Sequence, residues 1–388
     1  MISTNDRQYF GGSIVVTGSN SARPPFRVEH VGSFVRPGRL LDAARANKAG
    51  TLGDRAYLDV QNDCIAEIVA FQDEIGLPSV TDGEFRRRVW SGGLTEALDG
   101  MGLKAEGMLS FHSESAEYGV PPSPYAEGRL SRRRPIVTGD YEYVAALRPK
   151  GVPKVTIASP AVLHFWLGDG SFNPAVYAGR DAFFADLIAI FREEIADLER
   201  AGCRYVQLDD TALPCNCDER ARAAVAARGE DPDELTDAYV RLINACVGER
   251  RDDTFVGLHM CRGNLKDMWM AEGGYEPIAE RLFGGLDVDA FFLEYDTTRA
   301  GDFRPLRFLP PGKTAVLGLV STKTPELEAK DDLKRRIDEA ARFAPLEQLS
   351  LSPQCGFSSA GGGGQVMDRD GIRRKMELIQ AVAAGVWG

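Results

Sequence analysis

No run of apolar residues in this 388-residue chain reaches the roughly 18 to 20 needed to cross a bilayer. The reading is therefore of a globular chain without a membrane partner. The opening MISTNDRQYFGG lacks the basic region and apolar stretch of a secretory leader, which points to a cytoplasmic location. Disulfide chemistry is excluded on similar grounds: Cys64, Cys203, Cys215, Cys217, Cys246, Cys261 and Cys355 are odd in number and widely scattered, so they read as free thiols or metal ligands. Positive charge is in deficit, with 46 Lys and Arg against 57 Asp and Glu for a net charge of -11. That balance argues against a nucleic-acid surface, and the one basic cluster, SRRRP at 131–135, reads as a solvated loop. The glycine-rich SSAGGGGQVMD near the C-terminus lacks the lysine and spacing of a phosphate loop. Nothing in the sequence specifies an oligomeric state.

What the chain does contain is an alternation. Short β-prone runs (FRVEHVGSF, PSVTDGEF, KVTIASPAV, YVQLDD, FVGLHMC, AFFLEYD, TAVLGLVST and QLSLSPQCG) are separated by amphipathic segments such as LDVQNDCIAEIVAFQDEIG, AFFADLIAIFREEIADLERAG and LEAKDDLKRRIDEAARFA. Period-2 runs between segments of period 3.6 predict βα units around a parallel sheet. Eight of them predict an α/β fold of the (βα)8 TIM-barrel type, about 250 residues before insertions. The surplus length falls into an N-terminal arm over residues 1–25 and an insertion after the second strand over about 102–154, leaving 26–388 as one barrel catalytic domain.

In such barrels the chemistry sits at the C-terminal ends of the strands. The reactive residues fall there: His30 and Ser33 on the first strand, Asp82 and Glu84 on the second, Asp209 and Asp210 on the fourth. His259 and Cys261 end the fifth, Glu294 and Asp296 the sixth, and Cys355 the eighth. A barrel can bury Val or Leu at such positions without electrostatic cost, whereas carboxylates and thiols must be paired or metal-bound. In GLHMCRGN the histidine and cysteine are two apart, so on a strand His259 and Cys261 project to one side. If the barrel closes, Glu294 and Cys355 can join them in a His, Cys, Glu, Cys set of the ligand types that suit zinc.

At this point HVGSFVRP, VTDGEFRR, AGCRYVQLDD, HMCRGN, GGYEPIAERLF, FFLEYDTTRAGDFRPL, VLGLVSTK and LSPQCGF together resemble the cobalamin-independent methionine synthases, specifically their single-barrel branch, over about residues 26–388. The resemblance implies a zinc-dependent methyltransferase of the 5-methyltetrahydropteroyltriglutamate-homocysteine type, acting in methionine biosynthesis on a small-molecule thiol and a methyl donor. It assigns zinc to the same four residues, His259, Cys261, Glu294 and Cys355. It also assigns substrate contacts: Ser33 to the carboxylate of homocysteine, Glu84 and Asp209 to its ammonium group. A thiol so held is kept as thiolate near neutral pH, and the glutamate is the ligand expected to give way to it.

One departure bears on the donor. Full-length family members end the seventh strand with a histidine that protonates the folate leaving group, and this chain has Val320 in that place, within GLVSTKTP. The same zinc set and the CRGN and LSPQCGF signatures also occur in epoxyalkane:coenzyme M transferase, where a thiol opens an epoxide. Carboxylates at Glu84 and Asp209 suit an ammonium-bearing thiol, whereas a sulfonate calls for basic partners. Arg36, Arg86, Arg262 and Lys323 are the residues that could supply them or else salt-bridge to their neighbours, and Arg299 and Asp302 are expected to hold loops. A third reading is a zinc-stabilised barrel without activity. Cys215 and Cys217 read as loop thiols, His112 and His164 as hydrogen-bonded side chains, and Trp90 and Tyr295 as packing.

Overall fold

A computed structural model describes residues 23–113, 117–265, 268–358 and 366–388. The N-terminal arm therefore lies almost wholly outside the described residues, as does the glycine-rich stretch at 359–365. Six of the expected strands form one continuous parallel sheet: Val155–Ala158, Tyr205–Asp210, Phe255–Met260, Ala290–Glu294, Thr314–Val320 and Leu349–Pro353. They pair in chain order, as parallel strands joined by helical crossovers do.

The barrel closes through two shorter positions. Ser79–Val80 pairs in parallel with Val152–Pro153, just ahead of the third strand, and Val28 makes a single parallel bridge to Leu351 on the eighth. The first and second positions are joined mainly by side chains. His30 Nε2 meets the Ser79 carbonyl at 2.9 Å, Thr81 Oγ1 donates to the Gly32 carbonyl at 2.6 Å, and Phe34 N–H donates to the Gly83 carbonyl at 3.1 Å. The fold is thus the expected (βα)8 TIM barrel, with its first two strands shorter than their β-prone runs. The second run stops early because Gly83 and Glu84 both take positive φ, +69° and +63°, and left-handed residues break a ladder.

Helices cover the outside. Asp54–Glu74 turns Cys64, Ile65, Ile68, Val69 and Phe71 inward, and Arg180–Arg200 does so with Phe183, Leu187, Ile190, Phe191 and Leu198, a three-and-four spacing that makes one apolar stripe. Pro232–Val247 starts on Asp231, whose carboxylate accepts the N–H groups of Asp233 and Glu234, with proline in the first turn; cap and proline both favour that start. No helix of the described residues is long and apolar enough to cross a membrane.

Inside the barrel a second, smaller apolar cluster of Phe26, Tyr205, Ala290, Phe292 and Val316 surrounds a buried ion pair. Lys154 Nζ lies 3.5 Å from Glu29 Oε2 with both side chains fully enclosed, and it also meets the His30 carbonyl and Gln207 Oε1. Glu29 is completed by Tyr205 OH at 2.7 Å and Ser79 Oγ at 3.0 Å.

The insertion is more ordered than its Ser-, Pro- and Arg-rich composition suggests. Leu98–Lys104 and Ser123–Arg132 form an antiparallel ribbon, Phe111–His112 pairs with Glu117–Tyr118, and Thr138–Ala146 is a helix. The ribbon begins four residues ahead of the expected boundary at 102, where Leu98 pairs with Arg132. Glu194 of the long helix anchors its return. That buried carboxylate accepts the N–H groups of Ile136, Val137 and Thr138 at 2.8, 2.8 and 3.0 Å, plus Thr138 Oγ1 at 2.9 Å and the Arg132 guanidinium. Glu194→Ala leaves three amides and the Thr138 hydroxyl without their acceptor in a buried place, while Arg132 keeps Glu193 and Asp197, so it is expected to cost about 3 kcal/mol or more. A urea midpoint no lower than wild type would contradict this anchoring.

Candidate metal and thiol site

Parallel register brings the fourth and fifth strand ends together, with Asp209 directly beside His259. His259 Nδ1 or Nε2, Cys261 Sγ and Cys355 Sγ lie within 4.8 Å of one another. The imidazole is 3% exposed, and neither of its nitrogens has a hydrogen-bond partner. Buried polar atoms are ordinarily satisfied, so an orphaned imidazole between two sulfurs fits a metal-binding role. The donor set, one imidazole nitrogen and two thiols, is the kind zinc takes.

The two sulfurs polarise each other. Cys355 is pulled well below the usual thiol range, first by its contact with Cys261 and then by His259 and Lys323, against the opposing effect of burial. Cys261 is pushed up by Cys355 and by burial. Binding a dication requires both thiols to give up their protons.

Glu294, the expected fourth ligand, lies on the neighbouring strand but is not among the converging ligand atoms. Its Oε2 accepts the Arg262 N–H at 2.8 Å, and its Oε1 takes Arg299 Nη2 at 2.7 Å with Lys323 Nζ at 3.6 Å. Burial by itself would raise the carboxyl, but Lys323, Arg262 and Arg299 outweigh it and hold it at about 2.

On the other side of His259 lies a pair of carboxylates. Asp209 accepts Gln207 Nε2 at 2.7 Å, and its ionisation is disfavoured chiefly by burial and eased by His259 and Arg87. Glu84 Oε1 accepts Thr156 Oγ1 at 3.1 Å and faces the Arg87 guanidinium at 2.8 Å. Burial, with Asp209 and Asp82 adding repulsion, pushes its carboxyl up to about 7 despite Arg87. Its φ of +63° is uncommon for a residue with a side chain; such strain persists only where surroundings enforce it, here with Asp82 Oδ1 accepting the Glu84 N–H at 2.9 Å.

Ser33 is buried against the segment that follows Cys355. Its Oγ lies 3.3 Å from the Ser358 carbonyl and 3.4 Å from the Ser358 N–H, and its carbonyl accepts Phe357 N–H at 2.9 Å. Two glycines permit this approach. A Cβ on Gly356 would stand 1.8 Å from Ser33 Oγ, and one on Gly32, at φ +133°, would stand 2.6 Å from Thr156 Cγ2.

The basic residues are already engaged. Arg36 donates to the Glu84 and Arg87 carbonyls and to Ser358 Oγ, at 2.8, 2.8 and 2.9 Å. Arg86 turns outward to Asp140 and Asn62, Arg262 ties to the Gly273 carbonyl and Tyr275, and Lys323 sits between Glu294 and Asp296. Asp302 pairs only with its neighbour Arg304, a loop role as expected, while Arg299 reaches the metal-site glutamate and goes beyond one. Val320 is fully buried in apolar surroundings. Thr156 and Gln207 were missed in the sequence because they meet Glu84 and Lys154 across long stretches of chain, and Arg87 was hidden in the run Arg86–Arg88.

Elsewhere, Cys215 and Cys217 are buried thiols raised by burial, and no metal-binding group among the described residues includes them. Tyr295 packs on Tyr275 and Phe303. His164 meets Tyr239 OH at 2.9 Å. It also approaches Asp169 and Glu230 closely enough for a second ligand group, although Arg228 already neutralises Glu230.

Comparisons with known proteins identify the family. Residues 26–367 match the family model described as the cobalamin-independent synthase catalytic domain. YxjH of Bacillus subtilis, which has no assigned activity, is 39% identical over 94% of this chain and 96% of its own length. The 5-methyltetrahydropteroyltriglutamate–homocysteine methyltransferase of Nitrobacter winogradskyi is 24% identical over 87% of this chain, which spans 40% of that larger protein. Among solved structures, one from Listeria monocytogenes, described as a candidate vitamin-B12-independent methionine synthase, superposes with a TM-score of 0.75 at 32% identity over 95% of this chain and all of that one. A B12-independent methionine synthase from a Shewanella species, solved with selenomethionine, shares the fold at a TM-score of 0.65 and 17% identity, over 87% of this chain and 90% of that one. With that family model matched from the first barrel position to beyond the eighth strand, the chain belongs to the cobalamin-independent methionine synthase family.

Proposed function

We propose that the protein is a zinc-dependent transferase that alkylates a small amino-acid thiol, with methyl transfer to homocysteine as its reaction. The observation that carries this is the buried, unpartnered His259 grouped with Cys261 and Cys355, with Asp209 beside it on the neighbouring strand and Glu84 next to Asp209. His259, Cys261 and Cys355 would hold the metal, with Glu294 on the neighbouring strand as the candidate fourth ligand. When bound, zinc lowers the pKa of a thiol from its free value of about 8.5 toward neutrality.

The remaining work falls to the chain. Glu84 and Asp209 form an anionic pocket whose charge suits an α-ammonium group, and the Ser33 hydroxyl is a donor for the carboxylate of the same amino acid. Thr156, Arg87 and Gln207 orient the two acids. A sulfonate-bearing thiol fits less well, because Arg36, Arg86, Arg262 and Lys323 are each occupied by protein partners. Val320 offers no proton at the seventh strand, so the methyl donor assigned here is one whose leaving group departs without a proton from that position. The test is zinc content together with zinc K-edge absorption, with and without homocysteine. One zinc per chain and a sulfur gained on thiol addition are expected; a protein that binds no zinc sinks the reading.

The acids also predict a pH dependence. Glu84, with its carboxyl raised to about 7, is neutral below that pH and charged above it, so affinity for an ammonium ligand should rise with pH. L-methionine isolates the effect, since a thioether carries no thiol proton. Its Kd is expected to tighten about tenfold between pH 6 and 8, following the ionised fraction of one such group, and to become flat in Glu84→Gln. Calorimetry showing a flat wild-type profile would remove Glu84 from the ammonium site.

A further inference from the structure

We propose that Arg299, backed by Lys323, is a positioning residue that holds Glu294 off the metal and so reserves a place there for the substrate sulfur. This inference rests on the zinc reading above.

Both carboxylate oxygens of Glu294 are taken. Oε2 accepts the Arg262 N–H at 2.8 Å, while Oε1 takes Arg299 at 2.7 Å and Lys323 at 3.6 Å. The side chain is fully enclosed, so the Arg262 and Arg299 contacts are charge-assisted hydrogen bonds shielded from water, and Lys323 adds an ion pair. His259, Cys261 and Cys355 form their close group without it. A metal can recruit Glu294 only by drawing Oε1 from Arg299 or Oε2 from the Arg262 amide.

Arg299 is built to stay where it is. Its guanidinium carbon lies 4.4 Å from the centre of the Trp269 ring, a cation–π contact. Trp269 in turn exchanges two backbone hydrogen bonds with His112 of the insertion, both at 2.9 Å, and its indole N–H donates to Glu272 at 3.0 Å. A second acid is also at hand: Asp296 lies 4.0 Å from Arg299 and 3.5 Å from Lys323. Arg299 thus has an alternative partner if Glu294 leaves, and the carboxylate has two discrete places. The choice matters electrostatically. A dication held by two thiolates and an imidazole is neutral, whereas adding Glu294 makes the site anionic and repels an incoming thiolate.

The experiment uses the full chain loaded with zinc or cobalt. Zinc affinity is read by competition with a chromophoric chelator, and homocysteine affinity by the cobalt absorption spectrum. In Arg299→Met, zinc should bind about threefold to tenfold more tightly and homocysteine more weakly by a similar factor, as expected when one charge-assisted bond is lost. Trp269→Leu, which only loosens Arg299, should shift both in the same direction by less. Adding Glu294→Gln to Arg299→Met should abolish both shifts.

Zinc and homocysteine affinities unchanged in both single variants would overturn the proposal. So would a loss of zinc in Glu294→Gln as large as in Cys261→Ser, which would make Glu294 a permanent ligand. A wild-type chain that binds neither metal sinks the parent reading and this one together, whereas metal binding indifferent to Arg299 sinks this one alone.

Discussion

Cys261→Ser and Cys355→Ser are each expected to lower zinc affinity by on the order of 100-fold or more and to abolish turnover with the bound metal. Each removes one of only three ligand atoms that converge within 4.8 Å, and a hydroxyl replaces a thiolate poorly on zinc. Neither replacement should unfold the barrel, because both residues lie at strand ends, not within the helix-covered core. The control is Cys64→Ser or Cys246→Ser, buried thiols far from the site in sequence and in no metal-binding group. These should keep one zinc per chain. Elemental analysis with a thermal melt decides it: one zinc retained in Cys261→Ser, with turnover intact, would remove the metal from the mechanism.

The second large effect concerns stability. Lys154→Met is expected to destabilise the barrel by about 3–5 kcal/mol, because it leaves Glu29 as an uncompensated charge in the interior. The pair is fully buried, and burial already pulls the Lys154 ammonium below its usual range against the opposing pull of Glu29. Replacing both partners, Lys154→Met with Glu29→Gln, should recover most of the loss, since the amide oxygen can still accept from Tyr205 OH while the amide NH2 donates to the Ser79 hydroxyl. Urea unfolding of the two variants tests this, and a double variant no more stable than the single one would contradict it. The pair has a second consequence. Lys154 holds Gln207, which holds Asp209, so the ion pair also helps to fix Asp209 beside His259.

Much of this was readable beforehand, for identifiable reasons. Six strands fell inside their β-prone runs because a parallel strand buried on both faces writes itself as a local apolar run. The first two did not form full ladders, because joining them depends on His30, Thr81 and Phe34 meeting residues some fifty positions away. The antiparallel architecture of residues 98–132 was not legible in their composition, and the return of the chain after it depends on Glu194 collecting three amides across the fold.

The sequence by itself determined the barrel and nominated a candidate site. The alternation of periods dictated eight βα units, and the spacing of His259 and Cys261 on one strand put two donors on one side. Carboxylates and thiols at strand ends then marked the candidate site. Only the tertiary structure decided how those groups are disposed toward each other. Glu294 has the right residue type and strand position for a zinc ligand, yet Arg262, Arg299 and Lys323 turn it aside. The charged state of Glu84 likewise depends on Arg87, Asp82 and Asp209 around it. Residue type and strand period are local properties of the chain, whereas the direction of a buried carboxylate and the pH at which it ionises are set by the sum of charges that folding brings around it.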